Sequence, residues 1–569
     1  MQHRPSRAYR SHRHSCMIAA AGILLFSLSA PRSVGFPSQA AIRDIIANRV
    51  ERLLVHKDLI VAGAHVASVN LLPDLYMRRD YKPLWTETRV INDLSQAITA
   101  SELDGLNPSD YHYPLLDTMR WMMAEAPNPS PEFCADFDLL LTDALVRLVY
   151  HVHVGKVDPA ELDPHWNLAE KLDDDDPVSH LQALVSSGRL YHVLEQERPR
   201  HPYYRQLKRM LAEHKQIAGN GGWPSIPSGS PLKPGMSDPR IPLVRKRLAI
   251  TGDSAPTLPS DTGMFFDQTL EEAVKRFQDR HAAEEDGKIG KKTLRLMNTP
   301  VQARIDQILV ELERARWVLR QLPDTVLYVN IASFRAAVLY KGDTVWHGRV
   351  QVGRPARETP VFRGVMRYLV LNPTWTVPPT ILAEDVVPAA ARGEPVLQRK
   401  KLKVYTLSGE EVDAAAINWA AYTDRSVPYL LRAQPGPGNP LGRVKFMFPN
   451  EHDIYLHDTP TRSLFDRPTR TFSSGCIRVE KPLELVEVLL NDSVRWSMQA
   501  IRRVIESAEE TTVFLPRPVP VFLMYHTIGV APDGRALFFD DVYDRNQAVL
   551  KALRKPFRFR SQSVARTYS

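Results

Sequence analysis

Two side chains toward the C-terminal end of the chain have the chemistry and spacing for covalent acyl transfer. His457 closes an extended apolar run, and nineteen residues later a Ser473-Ser474-Gly475 turn delivers Cys476 just ahead of Ile477, Arg478 and Val479. A free thiol titrates near roughly 8.5, so a cysteine nucleophile needs a neighbouring base or positive charge. His457 can take the proton, and Arg478 adds positive charge nearby. Gly475 lets backbone N–H groups face the oxygen of an attacked carbonyl, and Asp458, or a backbone carbonyl in its place, can fix the imidazole tautomer. Spacing alone does not decide the matter, because a lone cysteine in an apolar context is more often a small buried hydrophobe.

The elements that must bring the pair together are strands. From Asp324 onward TVLYVNI, AAVLY, TVWHGRVQVG and RYLVLNPTWTVP are rich in β-branched and aromatic residues, with Gly or Asp at the turns, and an antiparallel sheet follows. Between about 380 and 445 the chain carries helical ILAEDVVPAA, basic QRKKLKVY and Pro/Gly-rich QPGPGNPLG, an insertion too long for an ordinary loop. Beyond Cys476, LELVEVLLNDSVRWSMQAIRRVIES is helical and TTVFLPRPVPVFLMYHTIGV returns to strand. His526, alone in that strand, reads as structural.

Leu456-His457-Asp458-Thr459-Pro460 and Ser473-Ser474-Gly475-Cys476-Ile477-Arg478 resemble, motif for motif, the active site of the L,D-transpeptidase (YkuD-type) family, in its long periplasmic branch. The resemblance implies that Cys476 is acylated and His457 is its base. Gly475, Ser474, Ser473, Arg478 and Asp458 then shape the site, with no metal and no cofactor. Asp458 stands where many members have Gly, and Ser474 where many have His or Lys, which puts in doubt a second histidine beside the cysteine. Asn372-Pro373-Thr374-Trp375-Thr376-Val377-Pro378 matches a strand near the family's substrate cleft. That makes Trp375 a candidate substrate contact alongside Tyr455, with plain core packing equally open for Trp375.

The implied reaction is attack on the L,D amide of a tetrapeptide stem with release of D-alanine, then transfer to an amine of a second stem to give a 3→3 cross-link. Transfer to a protein lysine or to water stays open. A wall-binding scaffold with a dead site is disfavoured by the intact Cys, His and Arg. Carbapenem-type β-lactams are expected to acylate the thiol. The implied partners are peptidoglycan stem peptides and glycan, and in this branch the insertion forms a capping subdomain.

The chain has 569 residues, 44% of them hydrophobic and 24% charged, which suggests three or four domains. A net charge of +8 and a pI near 9.2 fit an anionic partner. No nucleic-acid-binding motif is present, so nucleic acid ranks below wall polymer or a membrane surface. Met1 to His14 is basic without an acid, and Cys16 to Ala30 is apolar or small, which reads as a secretory signal. Export to the periplasm is expected, and retention of residues 1–40 as an inner-membrane anchor stays open. The mature chain then keeps Cys134, read as a buried helical residue, and Cys476, with no structural disulfide.

The expected fold is multidomain α+β. It comprises a mainly helical scaffold (41–218), a Gly/Pro/Ser-rich linker (219–240), a three-helix unit (241–298), a connecting helix (299–323), the mostly antiparallel sheet domain (324–515) with its inserted cap, and a C-terminal extension (516–569) packing back on the core. Tyr81-Lys82-Pro83-Leu84-Trp85, Asp104-Gly105-Leu106-Asn107-Pro108 and Gly155-Lys156-Val157-Asp158-Pro159 resemble the scaffold region of long L,D-transpeptidases. Phe266-Asp267, Phe277-Gln278 and Asp286-Gly287-x-Ile289-Gly290 resemble the peptidoglycan-binding domain type 1 fold, where glycan binding and a mere spacer role both stay open. His151, His153 and His165 do not form a metal set by spacing and read as helix-surface residues. Asp173 to Asp176 lacks the ligand alternation of a calcium loop and reads as a solvated turn.

Overall fold

A computed structural model describes residues 38–125, 128–168, 176–255, 263–320, 322–422 and 427–557. The expected signal and most of the acidic run at 173–176 lie outside the described residues. No helix among the described residues is long and apolar enough to cross a membrane.

The N-terminal region is helical apart from a small hairpin of β1 (Ile60–Val61) and β2 (Ala64–His65). Its centre is the helix Pro131–Val154, capped by the Ser130 hydroxyl and buried along most of its length. Two buried acids on this helix hold the surrounding turns. Asp138 accepts from the Leu84 and Trp85 N–H groups and the Tyr76 hydroxyl. Asp143 accepts from Ser68, His112 and Arg147. His151, expected on the surface, is buried with its Nδ1 2.9 Å from the Tyr111 hydroxyl, because the helix is enclosed on all sides. Cys134 lies on the same helix, half-buried, and both Cys134 and Cys476 are free thiols.

The three-helix unit comprises Ile241–Ile250, Gln268–Arg280 and Lys291–Met297 around Phe266, Val274 and Phe277. Gln278 and the Asp286-Gly287 turn bond to each other, so these motif residues build the turn. The stretch 219–240, read as a linker from its composition, is packed. Ile226 and Leu232 are buried in the unit's core, and Trp223 lies 3.8 Å under the Arg247 guanidinium. Pro, Gly and Ser here fix an extended path across an apolar surface.

The catalytic region is a sheet of β3 (Thr325–Asn330), β4 (Arg335–Tyr340), β5 (Asp343–Gly353), β6 (Phe362–Leu371), β11 (Val444–Met447), β12 (Leu456–His457), β13 (Thr471–Ser473), β14 (Ile477–Val479) and β15 (Thr511–Met524). The strand order is β13-β5-β14-β12-β11-β6-β15-β3-β4, and β4 pairs back to β5, so the sheet closes on itself and leaves few free edges. Three pairs are parallel, namely β12 with β14, β15 with β3 and β13 with β5, and the others are antiparallel. β15 runs without interruption through the boundary expected at residue 515. It pairs with β6 on one side and β3 on the other, so its second half is a sheet strand and not an extension. Its prolines fall at or beside a register shift between Phe514 and Val519, where missing N–H donors are tolerated.

A smaller sheet, β7 (Trp375–Thr376), β8 (Leu402–Thr406), β9 (Glu411–Val412) and β10 (Tyr429–Ala433) in the order β7-β10-β8-β9, forms a cap with its own core of Trp375, Leu382, Val386, Trp419 and Leu431. It begins at Trp375, earlier than the 380 expected, because β7 pairs with β10. A last hairpin, β16 (Ile528–Val530) and β17 (Ala536–Phe538), packs on the helix Pro202–Gly219.

The scaffold, the sheet and the last hairpin meet at the helix Val301–Val318. Glu313 accepts from the Val157 N–H at 2.7 Å and pairs with Arg316, which donates to the Asp104 carbonyl and the Tyr204 hydroxyl. Gly155 is tied to the same contact: at φ +94° a Cβ there would lie 2.5 Å from the Glu313 carboxylate. Glu311 pairs with His526 and accepts from the Thr527 N–H. Arg316→Met leaves Glu313 buried without its cation and is expected to cost about 3–5 kcal/mol, read as a lower midpoint in denaturant unfolding.

Candidate active site

The cleft between the closed sheet and the cap has a volume of about 930 Å³ and is lined by Tyr455, His457, Cys476, Arg478, Trp375 and Lys445, among others. β12 and β14 are parallel neighbours with Leu456 opposite Ile477 and His457 opposite Arg478. Tyr455 and Cys476 therefore sit side by side at the entry to these strands, and the Ile477 N–H donates to the Tyr455 carbonyl.

His457 is buried, and its Nδ1 lies 2.5 Å from the Asp458 carbonyl oxygen. A proton on Nδ1 donates to that carbonyl and leaves the Nε2 lone pair free to act as a base. The Asp458 carboxylate points elsewhere, accepting from Arg443 and Arg462. Of the two tautomer-fixing groups expected from sequence, the backbone carbonyl is the one in contact.

The turn before Cys476 is held on every side. The Ser473 hydroxyl donates to the Cys476 carbonyl and accepts from the Gly475 N–H. The Thr359 hydroxyl donates to the Gly475 carbonyl at 2.6 Å. Gly475 has φ +120°, which only glycine adopts at low cost. Its N–H is committed to Ser473, whereas the Cys476 N–H has no partner among the described residues. Ser474 is exposed and accepts from Arg357, which also grips Glu384 and Asp385 of the cap.

The electrostatics favour a neutral resting pair. Burial, assisted by Arg478 and Lys445, pushes the His457 imidazole down to about 3. Burial raises the Cys476 thiol, against the opposing pull of Lys445, Arg478 and contacts to Tyr455. The thiol lies 3.7 Å from the Asp453 carbonyl. Arg478 donates to Gln351 while its buried Nε has no partner among the described residues. Tyr455 places its ring 5.7 Å from that of His457 and lies under the Lys445 ammonium at 4.0 Å. Trp375 is buried in the cap core and also lines the cleft.

Sequence reasoning missed Lys445 and Arg357. Lys445 is visible only through the register of β11 against β12, which puts it opposite His457. Arg357 is visible only once the cap is folded over the turn.

Residues 324–512 match the family described as "L,D-transpeptidase catalytic domain", and the site residues above fall within that match. The chain carries a YkuD-type L,D-transpeptidase domain. Residues 70–211 match the "Scaffold domain" and 237–297 the "Putative peptidoglycan binding domain" that accompany this L,D-transpeptidase domain. A "Putative L,D-transpeptidase" of Haemophilus influenzae is 34% identical over 233 residues, 41% of this chain and 47% of the relative. The chain thus spans about half the length of that curated relative. Solved L,D-transpeptidases from Mycobacterium smegmatis (13% identity, 35% of this chain, 58% of that chain, TM-score 0.17) and Stackebrandtia nassauensis (12%, 52%, 97%, TM-score 0.20) are similar only at a level that adds nothing to the family match. The L,D-transpeptidase and peptidoglycan-binding matches point to an extracytoplasmic protein.

A neutral thiol beside a neutral imidazole predicts a distinct pH response. Alkylation of Cys476 by iodoacetamide is expected to rise only above the ordinary thiol range of about 8.5, without an imidazole-linked shoulder. A preformed thiolate–imidazolium pair would instead give a rate flat from about pH 5 to 8. Because His457 charges only near about 3, loss of acylation on the acid side is expected well below pH 6.

Proposed function

We propose that the protein forms 3→3 cross-links in peptidoglycan through a Cys476 thioester. The observation that carries this reading is the cleft itself, lined beneath a cap by Cys476 at the entry to β14 and by a tautomer-fixed His457 at the close of its parallel neighbour β12. As the sulfur attacks the L,D amide carbonyl of a tetrapeptide stem, His457 Nε2 takes the thiol proton. The carbonyl oxygen becomes an oxyanion facing the Cys476 N–H. Collapse breaks the C–N bond, the imidazolium returns the proton to the departing D-alanine amine, and a thioester remains. The amine of a second stem then attacks, loses its proton to His457, and expels the thiol, which takes that proton back. Because the resting pair is neutral, proton transfer accompanies attack and does not precede it.

Lys445 and Arg478 give the cleft a positive floor suited to the carboxylates of a diaminopimelate-containing stem. The cap lowers water access over the thioester and so favours an amine acceptor. The same acyl chemistry makes carbapenem-type β-lactams inhibitors that acylate Cys476.

Intact-mass analysis after incubation with a disaccharide-tetrapeptide carrying diaminopimelate tests this. Wild type is expected to give an acyl adduct and a dimer lacking one D-alanine, and Cys476→Ala less than about a thousandth of that product. A tripeptide alone would assign hydrolysis, and no product from either protein would leave wall binding as the function. Arg357→Ala, which releases the cap from the Ser474 turn, is expected to raise the ratio of hydrolysis to transfer several-fold with the adduct still formed.

A further inference from the structure

By sequence His165 reads as a helix-surface residue outside any metal set, but the fold brings it beside a second histidine and a carboxylate. It lies in the turn after the scaffold helix Pro159–Leu162, while Glu451 and His452 lie in the loop between β11 and β12. The donor atoms of the three side chains all fall within 4.8 Å of one another. The Glu451 carboxylate is 3.4 Å from His165 Nδ1 and 3.7 Å from His452 Nε2. The two imidazoles meet edge to face at 4.9 Å. Separations of this size need only a small closure to converge on one ion, since ligand bonds to zinc are about 2.0–2.2 Å long.

His452 is pre-positioned. Its N–H donates to Asn450 Oδ1 at 3.0 Å, and its ring packs 4.8 Å from that of Phe362. Asn450 also bonds the Phe448 and Ile454 carbonyls, bracing the loop from within. Asp163, two residues before His165, accepts from the His165 N–H and adds negative potential.

We propose that His165, Glu451 and His452 form a zinc site that clamps the scaffold domain to the loop bordering the catalytic cleft. Two imidazoles and one carboxylate are borderline ligands that suit zinc over calcium or magnesium, with water completing the coordination. The site is structural and not part of the acyl chemistry. Its consequence runs through Asp453, the next residue, whose carbonyl contacts the Cys476 sulfur. Metal binding would fix that carbonyl and join a domain far upstream in the chain to the position of the nucleophile. Without metal, the same trio is a histidine–carboxylate contact, and the test separates the two.

Full-length protein carrying Cys476→Ser, which removes the thiol at the cleft as a competing ligand, is treated with chelator, dialysed and titrated with zinc sulfate by calorimetry. Cobalt(II) loading is followed by absorption. One zinc per chain is expected, with affinity lowered more than about tenfold in both His165→Ala and Glu451→Gln. The cobalt form should show visible ligand-field bands without a sulfur-to-cobalt charge-transfer band. His165 and Glu451 are exposed, so neither change threatens the fold, and matching unfolding midpoints of the metal-free variants verify this. No zinc uptake by the parent, unchanged affinity in either variant, or a sulfur charge-transfer band overturns the proposal.

Discussion

The structure depends on charges buried along the helix Val301–Val318. A carboxylate or guanidinium withdrawn from water costs several kcal/mol unless partners replace the lost hydration. Here the partners come from different parts of the chain. Glu313 is met by the Val157 N–H from the scaffold, Arg316 by the Asp104 carbonyl and the Tyr204 hydroxyl, Glu311 by His526 and Thr527 at the end of the sheet, and Arg314 by Asn546 near the C-terminus. None of these pairings forms unless the domains dock around the helix. The segment is therefore a keystone more than a connector, and its burial makes docking all-or-none.

That docking has a direct effect on the site. The scaffold reaches the barrel at the Gly155 turn and again at Asn167, whose side chain exchanges hydrogen bonds with the Arg363 backbone at the start of β6. β6 in turn pairs with β11, the strand that carries Lys445 into the cleft. The N-terminal helices thus bear on the same strands that set the active cleft, although they contribute none of its lining side chains among the described residues.

Much of this was legible in the sequence, and the parts that were not share a cause. Cys476, His457 and the Ser-Ser-Gly turn are contiguous in short motifs, so residue type and order sufficed to find them. The strand segments were visible from β-branched and aromatic content. What escaped were relations between distant segments: the closure of the sheet through β4 and β5, Lys445 opposite His457, and the passage of β15 through a boundary placed within it. Composition misled at 219–240, where Gly, Pro and Ser mark a fixed extended path as readily as a flexible one. It misled again at His151, because a helix enclosed on all sides has no solvent face. In the Val301–Val318 helix, acids and arginines that would ordinarily mark a solvated face are the buried ones.

The cleft presents a further constraint. Burial raises the thiol and lowers the imidazole, so the groups expected to react are both held in their uncharged forms. In water that arrangement would be a poor nucleophile. In the proposed mechanism, the cations at Lys445 and Arg478 beneath the cap would stabilise charge that develops on sulfur and oxygen during attack while the resting state is not ionised. The cations that depress His457 are also the ones that would attract an anionic stem. Burial and those cations together keep His457 uncharged, whereas it is burial, working against the same cations, that suppresses a resting thiolate open to oxidation. Both basic side chains stand on strands, where register against β12 fixes their place relative to the reacting pair.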